Sequence, residues 1–280
     1  MCSTCGCSQP ADAVTIHKVN PLELHIVEND GVVHSPTHGF AHLHNHHHHH
    51  PHDEHFHQPV AAEKTVIQLE QDILGKNNLL AERNRGYFEA KNIAAFNLVS
   101  SPGSGKTALL ERTLRDLQSE IPCFVIEGDQ QTNNDAERIA ATGAPVVQIN
   151  TGKGCHLDAE MINQAIKQLA PVDHSAVFIE NVGNLVCPAM FDLGEKARVV
   201  IISVTEGDDK PLKYPDMFHS SQLCIINKID LLPYVPFDVE KVKANARRVS
   251  HITAFIELSA YTGQGMEQWY DWLRKALKQD

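Results

Sequence analysis

The sequence predicts an α/β fold in which a mainly parallel sheet of about seven strands is covered by helices on both faces. Two observations predict it. Short apolar runs of strand length alternate with amphipathic helical patterns along residues 63–280. A tight glycine-rich loop also joins the first apolar run to the helical pattern that follows it. Residues 1–62 form a Cys/His-rich region with few apolar side chains, so we predict that this N-terminal region is disordered.

Composition and charge limit the classes of partner. The chain has 280 residues and can bury one sizeable core, which we assign to residues 63–280. Its formal net charge is -11 and it has no basic stripe, so we expect no nucleic-acid partner. It shows neither an apolar run of membrane-spanning length nor a secretion signal, so we expect no membrane association and a cytoplasmic location.

Three cysteines, Cys2, Cys5 and Cys7, stand close together at the start of the sequence. Seven cysteines in all, an odd number, suit thiolate ligands in a reducing compartment better than a disulfide framework. Three sulfurs and the terminal amine suit either Ni²⁺ in a square plane or Zn²⁺ in a tetrahedron, and the sequence leaves both metals open. A reactive cysteine tail that binds no metal is the alternative.

A histidine tract follows the cysteines. Fourteen of the eighteen histidines lie between His17 and His57. Neutral imidazoles at such density bind borderline divalent ions weakly and in many geometries, so we favour a store or buffer for Ni²⁺ or Zn²⁺. A solvated linker with incidental histidines is one alternative. An expression tag is another, but a tag is a short uniform block at a terminus, whereas this tract is irregular and internal.

The regular elements of the core domain are predicted from apolar periodicity. Val66, Leu69, Ile73 and Leu80 recur at helical spacing and predict helices that dock on the domain. Apolar residues between positions 266 and 277 predict a final amphipathic helix that packs on the core. The seven apolar runs that predict strands are residues 95–99, 123–126, 145–149, 176–179, 198–204, 222–226 and 255–258.

The glycine-rich loop runs from Ser100 to Thr107 as Ser-Ser-Pro-Gly-Ser-Gly-Lys-Thr. Closely spaced glycines let backbone N–H groups converge on a phosphate at the start of a helix, where the helix dipole favours negative charge. Lys106 would reach the β and γ oxygens, and the Thr107 hydroxyl would bind Mg²⁺. Ser100 stands where the usual pattern has glycine, and a simple turn before a helix is the alternative. We predict a Walker A loop of the P-loop NTPase class, with nucleotide contacts from Gly103, Ser104, Gly105, Lys106 and Thr107.

The motif Asn227-Lys228-Ile229-Asp230 follows the sixth predicted strand. A carboxylate can accept hydrogen bonds from both N1–H and the exocyclic amine of guanine, whereas adenine has an acceptor at N1 that would leave the charge unpaired. Asp230 therefore favours GTP over ATP. Ser259 and Ala260 follow the last predicted strand and are placed for a backbone contact to the guanine oxygen. We predict that Asn227, Lys228 and Asp230 bind the base.

Carboxylates end two further predicted strands, in Glu127-Gly128-Asp129 and in Glu180-Asn181-Val182-Gly183. The carboxyl ends of parallel strands face the ligand crevice of an open sheet, where carboxylates can hold Mg²⁺ directly or through water. We predict that Asp129 and Glu180 bind Mg²⁺ together with Thr107, and that the N–H of Gly183 senses the γ-phosphate. Lys106 and Asp129 are the predicted catalytic residues. Helix capping or a solvated loop position is the alternative for each carboxylate.

Three residues of metal-binding types lie close to these motifs. Cys155 and His156 precede a predicted helix, and Cys187 follows Gly183 by four residues, within roughly 14 Å of it along the chain. Two thiolates and an imidazole are an incomplete ligand set for Ni²⁺ or Zn²⁺, so the site would need water, another side chain or a second protomer. Buried cysteines and a surface histidine are the alternative. We expect the position of Cys187 to depend on the loop that senses the γ-phosphate.

The sequence resembles the HypB family of hydrogenase nickel-incorporation GTPases over nearly its whole length. The urease accessory GTPase is similar, but its Cys-Pro-His motif is not met because Ala189 follows Cys187 and Pro188. The segments that carry the resemblance are residues 2–7, the histidine tract, 100–107, 127–129, 150–158, 180–188 and 227–230.

The resemblance implies a GTP-hydrolysing metallochaperone that helps deliver nickel to the hydrogenase large subunit, working with a small zinc- and nickel-binding accessory protein. It also implies a GTP-linked homodimer, with metal bound by Cys155, His156 and Cys187 near the subunit interface. The N-terminal cysteines match a high-affinity nickel motif found in only some members. We also consider an apolar cluster of Leu231, Leu232 and Val235 as part of a dimer surface.

Two other functions are compatible with parts of the sequence. One is a nickel or zinc storage protein whose guanine-nucleotide domain is regulatory. The other is a kinase for a small molecule, although no acceptor pocket is recognisable. Our hypothesis is that GTP and Mg²⁺ bring the segments 129–156 and 180–187 into one arrangement that fixes the metal ligands, and that hydrolysis releases it.

Overall fold

The computed structural model describes residues 14–19, 66–130, 134–251 and 254–278. Within these residues, eight strands form one sheet in the order β1-β4-β3-β5-β2-β6-β7-β8. All neighbouring strands in it run parallel except β1 and β4, which are antiparallel. The strands are β1 (Thr15–Val19), β2 (Ala94–Ser100), β3 (Cys123–Asp129), β4 (Val146–Asn150), β5 (Ala176–Glu180), β6 (Ala197–Ser203), β7 (Leu223–Asn227) and β8 (Ala254–Glu257).

Helices follow most of the strands and return the chain to the start of the next parallel strand. Two short 3-10 helices, Cys187–Met190 and Ile229–Tyr234, stand at the carboxyl side of β5 and β7. The α-helices of the described residues are α1 (Val66–Ala90), α2 (Lys106–Leu117), α3 (Asn134–Ala140), α4 (Ala159–Leu169), α5 (Lys210–Lys213), α6 (Pro215–His219), α7 (Val239–Val249) and α8 (Met266–Lys278).

The core is divided by the sheet, as expected for a parallel sheet with helices on both faces. On one face, α2, α3 and α8 pack against the strands through residues such as Phe96, Leu114 and Trp269. On the other face, α1 and α4 cover β3 and β5, while α6 and α7 cover β6 and β7. The strands β2 and β6 are buried along their full length, which explains their continuous apolar sequence. The predicted fold class is therefore confirmed.

Two details differ from the prediction. The sheet has eight strands because Thr15–Val19, inside the region predicted to be disordered, pairs with the edge of β4. This edge strand was missed because only Ile16 and Val19 among its residues are partly buried against the core. The domain boundary at residue 62 remains a prediction.

The helix before the phosphate loop is a single helix of 25 residues, and two of the side chains predicted to dock are exposed. Leu69 and Ile73 are 52% and 47% exposed. The buried contacts come from Ala81 and Phe88 and from the polar residues Asn77 and Asn84. The Asn84 amide donates to the carbonyls of Ala159 and Leu193, at 2.9 Å and 3.1 Å. Amide hydrogen bonds, which apolar periodicity does not register, therefore act together with buried apolar contacts to hold α1 on the domain.

The final helix packs as predicted, with Met266, Trp269, Tyr270 and Leu273 buried. None of the helices in the described part of the chain combines the length and the apolar character needed to cross a membrane.

Candidate nucleotide and metal site

The phosphate loop lies between the end of β2 and the start of α2, at the carboxyl edge of the sheet. Gly105 has φ 90°, a left-handed conformation that glycine adopts without strain. A Cβ atom at Gly105 would also lie 2.6 Å from the side-chain amide nitrogen of Asn227. Both the backbone conformation and the packing therefore require glycine at this position.

Residues of the predicted guanine motif form hydrogen bonds to this loop. The side-chain amide of Asn227 donates to the Ser104 carbonyl at 2.9 Å, and Lys228 Nζ donates to the Gly103 carbonyl at 2.6 Å. Asn227 Oδ1 in turn accepts from the backbone N–H of Ala260 at 3.1 Å. The three segments that would surround a guanine nucleotide are thus joined to one another through Asn227, and Ser259 is buried beside them.

Asp230 lies in the 3-10 helix after β7, and its Oδ1 atom is buried without a hydrogen-bond partner among the described residues. A buried carboxylate oxygen that lacks a partner costs free energy, on the order of 1–3 kcal/mol or more for a charged group. Such an atom is suited to a ligand that brings two N–H donors, as guanine does. The structure therefore places a free acceptor where the sequence predicts the base.

Lys106 and Thr107 both contact Glu180, which ends β5. Lys106 Nζ lies 2.9 Å and Thr107 Oγ1 lies 2.7 Å from Glu180 Oε1. The Glu180 side chain is fully buried, and the Lys106 side chain is only 11% exposed. Glu180 Oε2 has no partner among the described residues. A hydroxyl and carboxylate oxygens in one buried place are the ligand types that Mg²⁺ prefers, so the donor set fits this ion.

Glu127 is a second buried carboxyl group in this site. It pairs in register with Glu180 across β3 and β5, and its Oε2 atom is buried without a partner among the described residues. Burial, together with the nearby charge of Glu180, raises the pKa of Glu127 to about 9. The group therefore carries its proton at neutral pH, because two buried charges side by side would repel each other. The sequence motif Glu127-Gly128-Asp129 does not by itself indicate a role for Glu127.

Asp129 ends β3 and borders the same site. Its Oδ1 atom accepts from the backbone N–H of Gln130 at 2.7 Å, and its carbonyl accepts from the Thr151 N–H at 2.8 Å. The segment after β3 is thereby fixed to the loop after β4. Gly183 lies against the phosphate loop, since a Cβ atom there would approach Pro102 Cγ to 3.3 Å. Asp129 and Gly183 thus lie at the carboxyl edge as the sequence predicts.

The structure brings Cys155, His156 and Cys187 together. One ligand atom from each lies within 4.8 Å of the other two, and all three residues are half-buried. Cys155 Sγ lies 2.8 Å from Cys187 Sγ and 3.8 Å from His156 Nδ1. Soft sulfur and imidazole donors are the ligand types that suit Ni²⁺ or Zn²⁺. They form the one group of three metal-binding side chains detected in the described part of the chain.

His156 is held by an aromatic neighbour. Its ring stacks on the Phe191 ring, with centroids 4.0 Å apart and an angle of 20° between the planes. Burial lowers the pKa of His156, which favours the neutral imidazole. The neutral form is the one that can coordinate a metal. No local pattern in the sequence marks Phe191 as a neighbour of His156, because the two residues are distant along the chain.

A further polar contact at the phosphate loop was also missed. Lys210 Nζ donates to Ser101 Oγ at 2.9 Å and forms an ion pair with Glu206 at 2.9 Å. It follows β6, so it approaches the loop from the neighbouring strand. In the sequence, only the position of Lys210 shortly after the end of a predicted strand points to this contact.

Several predicted features lie outside the described residues or remain untested. Cys2, Cys5, Cys7 and all the tract histidines except His17 lie outside them. Leu231, Leu232 and Val235, considered above as a dimer surface, are half-buried against the core beneath α6 and α7, and Tyr234 beside them is 82% exposed.

Comparison with known proteins gives consistent matches. The family model described as CobW/HypB/UreG, nucleotide-binding domain, matches residues 94–257. Hydrogenase maturation factor HypB of Escherichia coli strain K12 is 58% identical over 217 residues, which cover 78% of this chain and 75% of that protein.

Two solved structures agree in fold. The crystal structure of hydrogenase maturation factor HypB from Archaeoglobus fulgidus is 43% identical, with a TM-score of 0.68, and the match covers 73% of this chain and 100% of that chain. The crystal structure of HypB from Helicobacter pylori in complex with nickel is 37% identical, also with a TM-score of 0.68, and covers 72% of this chain and 95% of that chain. The chain therefore belongs to the CobW/HypB/UreG family of nucleotide-binding domains and, within that family, to the HypB hydrogenase maturation factors.

Proposed function

We propose that this chain is a GTP-hydrolysing nickel metallochaperone that assists insertion of nickel into the hydrogenase large subunit. One observation carries the proposal. Cys155, His156 and Cys187 converge at the carboxyl edge of the sheet, on the two loops that continue from β4 and β5. The second of these loops begins at Glu180, which contacts Lys106 and Thr107 of the phosphate loop. The HypB structure solved with nickel supports nickel as the metal.

In the nucleotide site, we assign GTP binding to the phosphate loop and to the guanine motif. Backbone N–H groups of residues 103–107 and the Lys106 ammonium would hold the phosphates, and Asp230 would accept from the guanine N–H groups. Lys106 and Asp129 are the proposed catalytic residues. Mg²⁺, held by Thr107, Glu180 and Asp129, would supply positive charge against the phosphate oxygens.

The ion pair between Lys106 and Glu180 suggests how the nucleotide would be sensed. Lys106 Nζ now lies 2.9 Å from a fully buried carboxylate. A γ-phosphate would compete for this ammonium group because it carries more negative charge. Glu180 would then exchange its lysine partner for other ligands, and the segment from Gly183 to Cys187 would follow. The spacing of the thiolates would therefore depend on the nucleotide.

The partners follow from the family. We propose the hydrogenase large subunit and a small zinc- and nickel-binding accessory protein as partners. A GTP-linked homodimer would supply the ligands that two thiolates and one imidazole leave missing around Ni²⁺ or Zn²⁺. The N-terminal cysteines and the histidine tract would hold additional nickel or zinc. We propose a cytoplasmic location, where these thiols stay reduced.

Replacing Cys187 by serine tests the proposed delivery role. Serine keeps the size of the side chain but removes a soft ligand, so we expect Ni²⁺ affinity at this site to fall by about 10-fold or more. Nickel affinity is measured by titration on protein whose Cys2, Cys5 and Cys7 are replaced by serine. Hydrogenase activity is measured with the otherwise intact chain, in cells that lack their own copy and receive ample nickel. We expect this activity to fall strongly.

Cys123→Ser is the matched control. Cys123 lies in β3 away from the proposed ligands, and its sulfur donates to the Ile121 carbonyl, a bond that a hydroxyl can keep. The storage hypothesis instead predicts near-normal hydrogenase activity for Cys187→Ser when nickel is ample. That outcome, or unchanged nickel affinity, would refute a delivery role for this site.

A further inference from the structure

Two side-chain amides of the nucleotide-facing loops donate to backbone carbonyls of the loop that carries Cys155. The carbonyl of Gly154 accepts from Gln130 Nε2 at 3.2 Å, and the carbonyl of Cys155 accepts from Asn184 Nδ2 at 3.3 Å. Gln130 directly follows Asp129 at the end of β3. Asn184 directly follows Gly183 after β5. Each of the two loops that face the phosphates therefore reaches one of two consecutive carbonyls beside the metal donors.

Asn184 also makes a second bond that Gln130 does not. Its Oδ1 atom accepts from the backbone N–H of Val186 at 2.8 Å. Val186 precedes Cys187, so this one side chain joins the backbone at Cys155 to the backbone next to Cys187. A displacement of Asn184 would change the relation between the two sulfurs, which now lie 2.8 Å apart.

A neighbouring asparagine is anchored differently. The backbone N–H of Asn181 donates to the Leu98 carbonyl at 3.0 Å, and its side-chain amide donates to Asn97 Oδ1 at 3.2 Å. Both partners lie in β2, so Asn181 is fixed to the sheet, and its Oδ1 atom accepts from the backbone N–H of Leu157 at 3.3 Å. Asn184 lies beyond Gly183, whose backbone lies beside the phosphate loop, since a Cβ atom there would lie 3.3 Å from Pro102 Cγ. Asn184 is therefore placed to follow the phosphate loop, whereas Asn181 is held by β2.

We propose that Asn184 is the positioning residue that carries the nucleotide state to the metal thiolates, with Gln130 as a weaker second link. This inference rests on the proposed function, in which nickel binds at Cys155, His156 and Cys187. Asn184 touches neither the nucleotide nor the metal in this role. It acts by holding Cys155 and Cys187 in the geometry that the segment after β5 dictates.

The test is a nickel titration in two nucleotide states. Asn184→Asp keeps the acceptor for the Val186 N–H but replaces the donor to the Cys155 carbonyl by a second oxygen. Nickel affinity is measured in the GDP form and in the form with a non-hydrolysable GTP analogue, and the ratio of the two affinities is compared with that of the parent protein. The N-terminal cysteines are replaced by serine throughout. An added negative charge would affect nickel affinity in both forms, so the ratio largely removes this effect.

We expect the ratio of the two nickel affinities in Asn184→Asp to be closer to one than the parent ratio, by about 3-fold or more. The reason is that one linking hydrogen bond is lost. The sulfur-to-nickel charge-transfer absorption of the variant should also become the same in the two nucleotide forms. Asn184→Ala, which adds no charge, should give the same result. Gln130→Glu should move the ratio toward one by a smaller factor, because Gln130 is exposed and its side chain links the loops through the Gly154 carbonyl alone.

Asn163→Asp is the matched control. Asn163 donates its amide to Asn84 on α1, so the same chemical change falls on a bond between helices. The parent ratio should persist in this variant. A parent protein with a ratio of one would refute the proposed nucleotide-dependent function itself. If the parent ratio differs from one and both Asn184→Asp and Asn184→Ala leave it unchanged, only the role of Asn184 would be refuted.

Discussion

Replacing Lys106 by alanine is expected to lower GTP turnover by about 100-fold or more. The ammonium group lies at the start of α2, and its side chain is 11% exposed. Alanine leaves the developing charge on the phosphates without this partner. Turnover is measured as phosphate release with saturating GTP. Hydrogenase activity in cells should be lost as well, even though the N-terminal cysteines and histidines are intact.

The same substitution also removes the only cation that pairs with buried Glu180 in the described residues, so folding has to be checked. Lys106→Arg keeps a positive charge near Glu180 but not the compact ammonium group. It should fold like the parent protein and still turn over GTP slowly. Lys91→Ala, which removes a surface pair with Asp173, is the control and should keep full activity. Normal turnover by folded Lys106→Ala would contradict the assignment of this loop.

Replacing Asp230 by asparagine is expected to change the base that the site prefers. The carboxylate suits two N–H donors of guanine, whereas an amide offers one acceptor and one donor. Xanthine presents N1–H and an oxygen at position 2, so it matches the amide. We expect GTP affinity to fall by about 100-fold or more and XTP affinity to rise. Competition binding with a fluorescent nucleotide measures both affinities.

Asp271→Asn is the control for this exchange, since Asp271 pairs with Arg274 on the exposed side of α8. It should leave the preference for GTP unchanged. If Asp230→Asn bound GTP as tightly as the parent protein, the free Oδ1 atom in the structure would not be the base-binding acceptor.

Much of the fold was predictable because it depends on local chemistry. The strands β2 and β6 have continuous apolar sequences, which is the direct consequence of burial on both faces. Asp129 and Glu180 could be placed near the phosphate loop because the carboxyl ends of parallel strands meet at one edge of the sheet. Metal binding by Cys155, His156 and Cys187 together was implied by the family resemblance, and the structure brings these three residues together.

Other features depend on partners distant in sequence. The edge strand Thr15–Val19 has too few apolar residues to be recognised in a polar, histidine-rich segment. The docking of α1 depends partly on Asn77 and Asn84, and amide hydrogen bonds leave no apolar period in the sequence. The raised pKa of Glu127 arises from burial and from Glu180 on another strand. The link from Asn184 to Cys155 exists only because the two loops meet in the folded protein.

The central claim is that the nickel ligands lie on loops that respond to the third phosphate. Coupling of this kind is reciprocal, so nickel must change nucleotide affinity by the same factor by which the nucleotide changes nickel affinity. The most direct measurement compares the affinities for GDP and for a non-hydrolysable GTP analogue in nickel-free and nickel-loaded protein, with the N-terminal cysteines replaced. We predict that nickel changes the ratio of these two affinities by about 5-fold or more. A ratio that nickel leaves unchanged would contradict the claim.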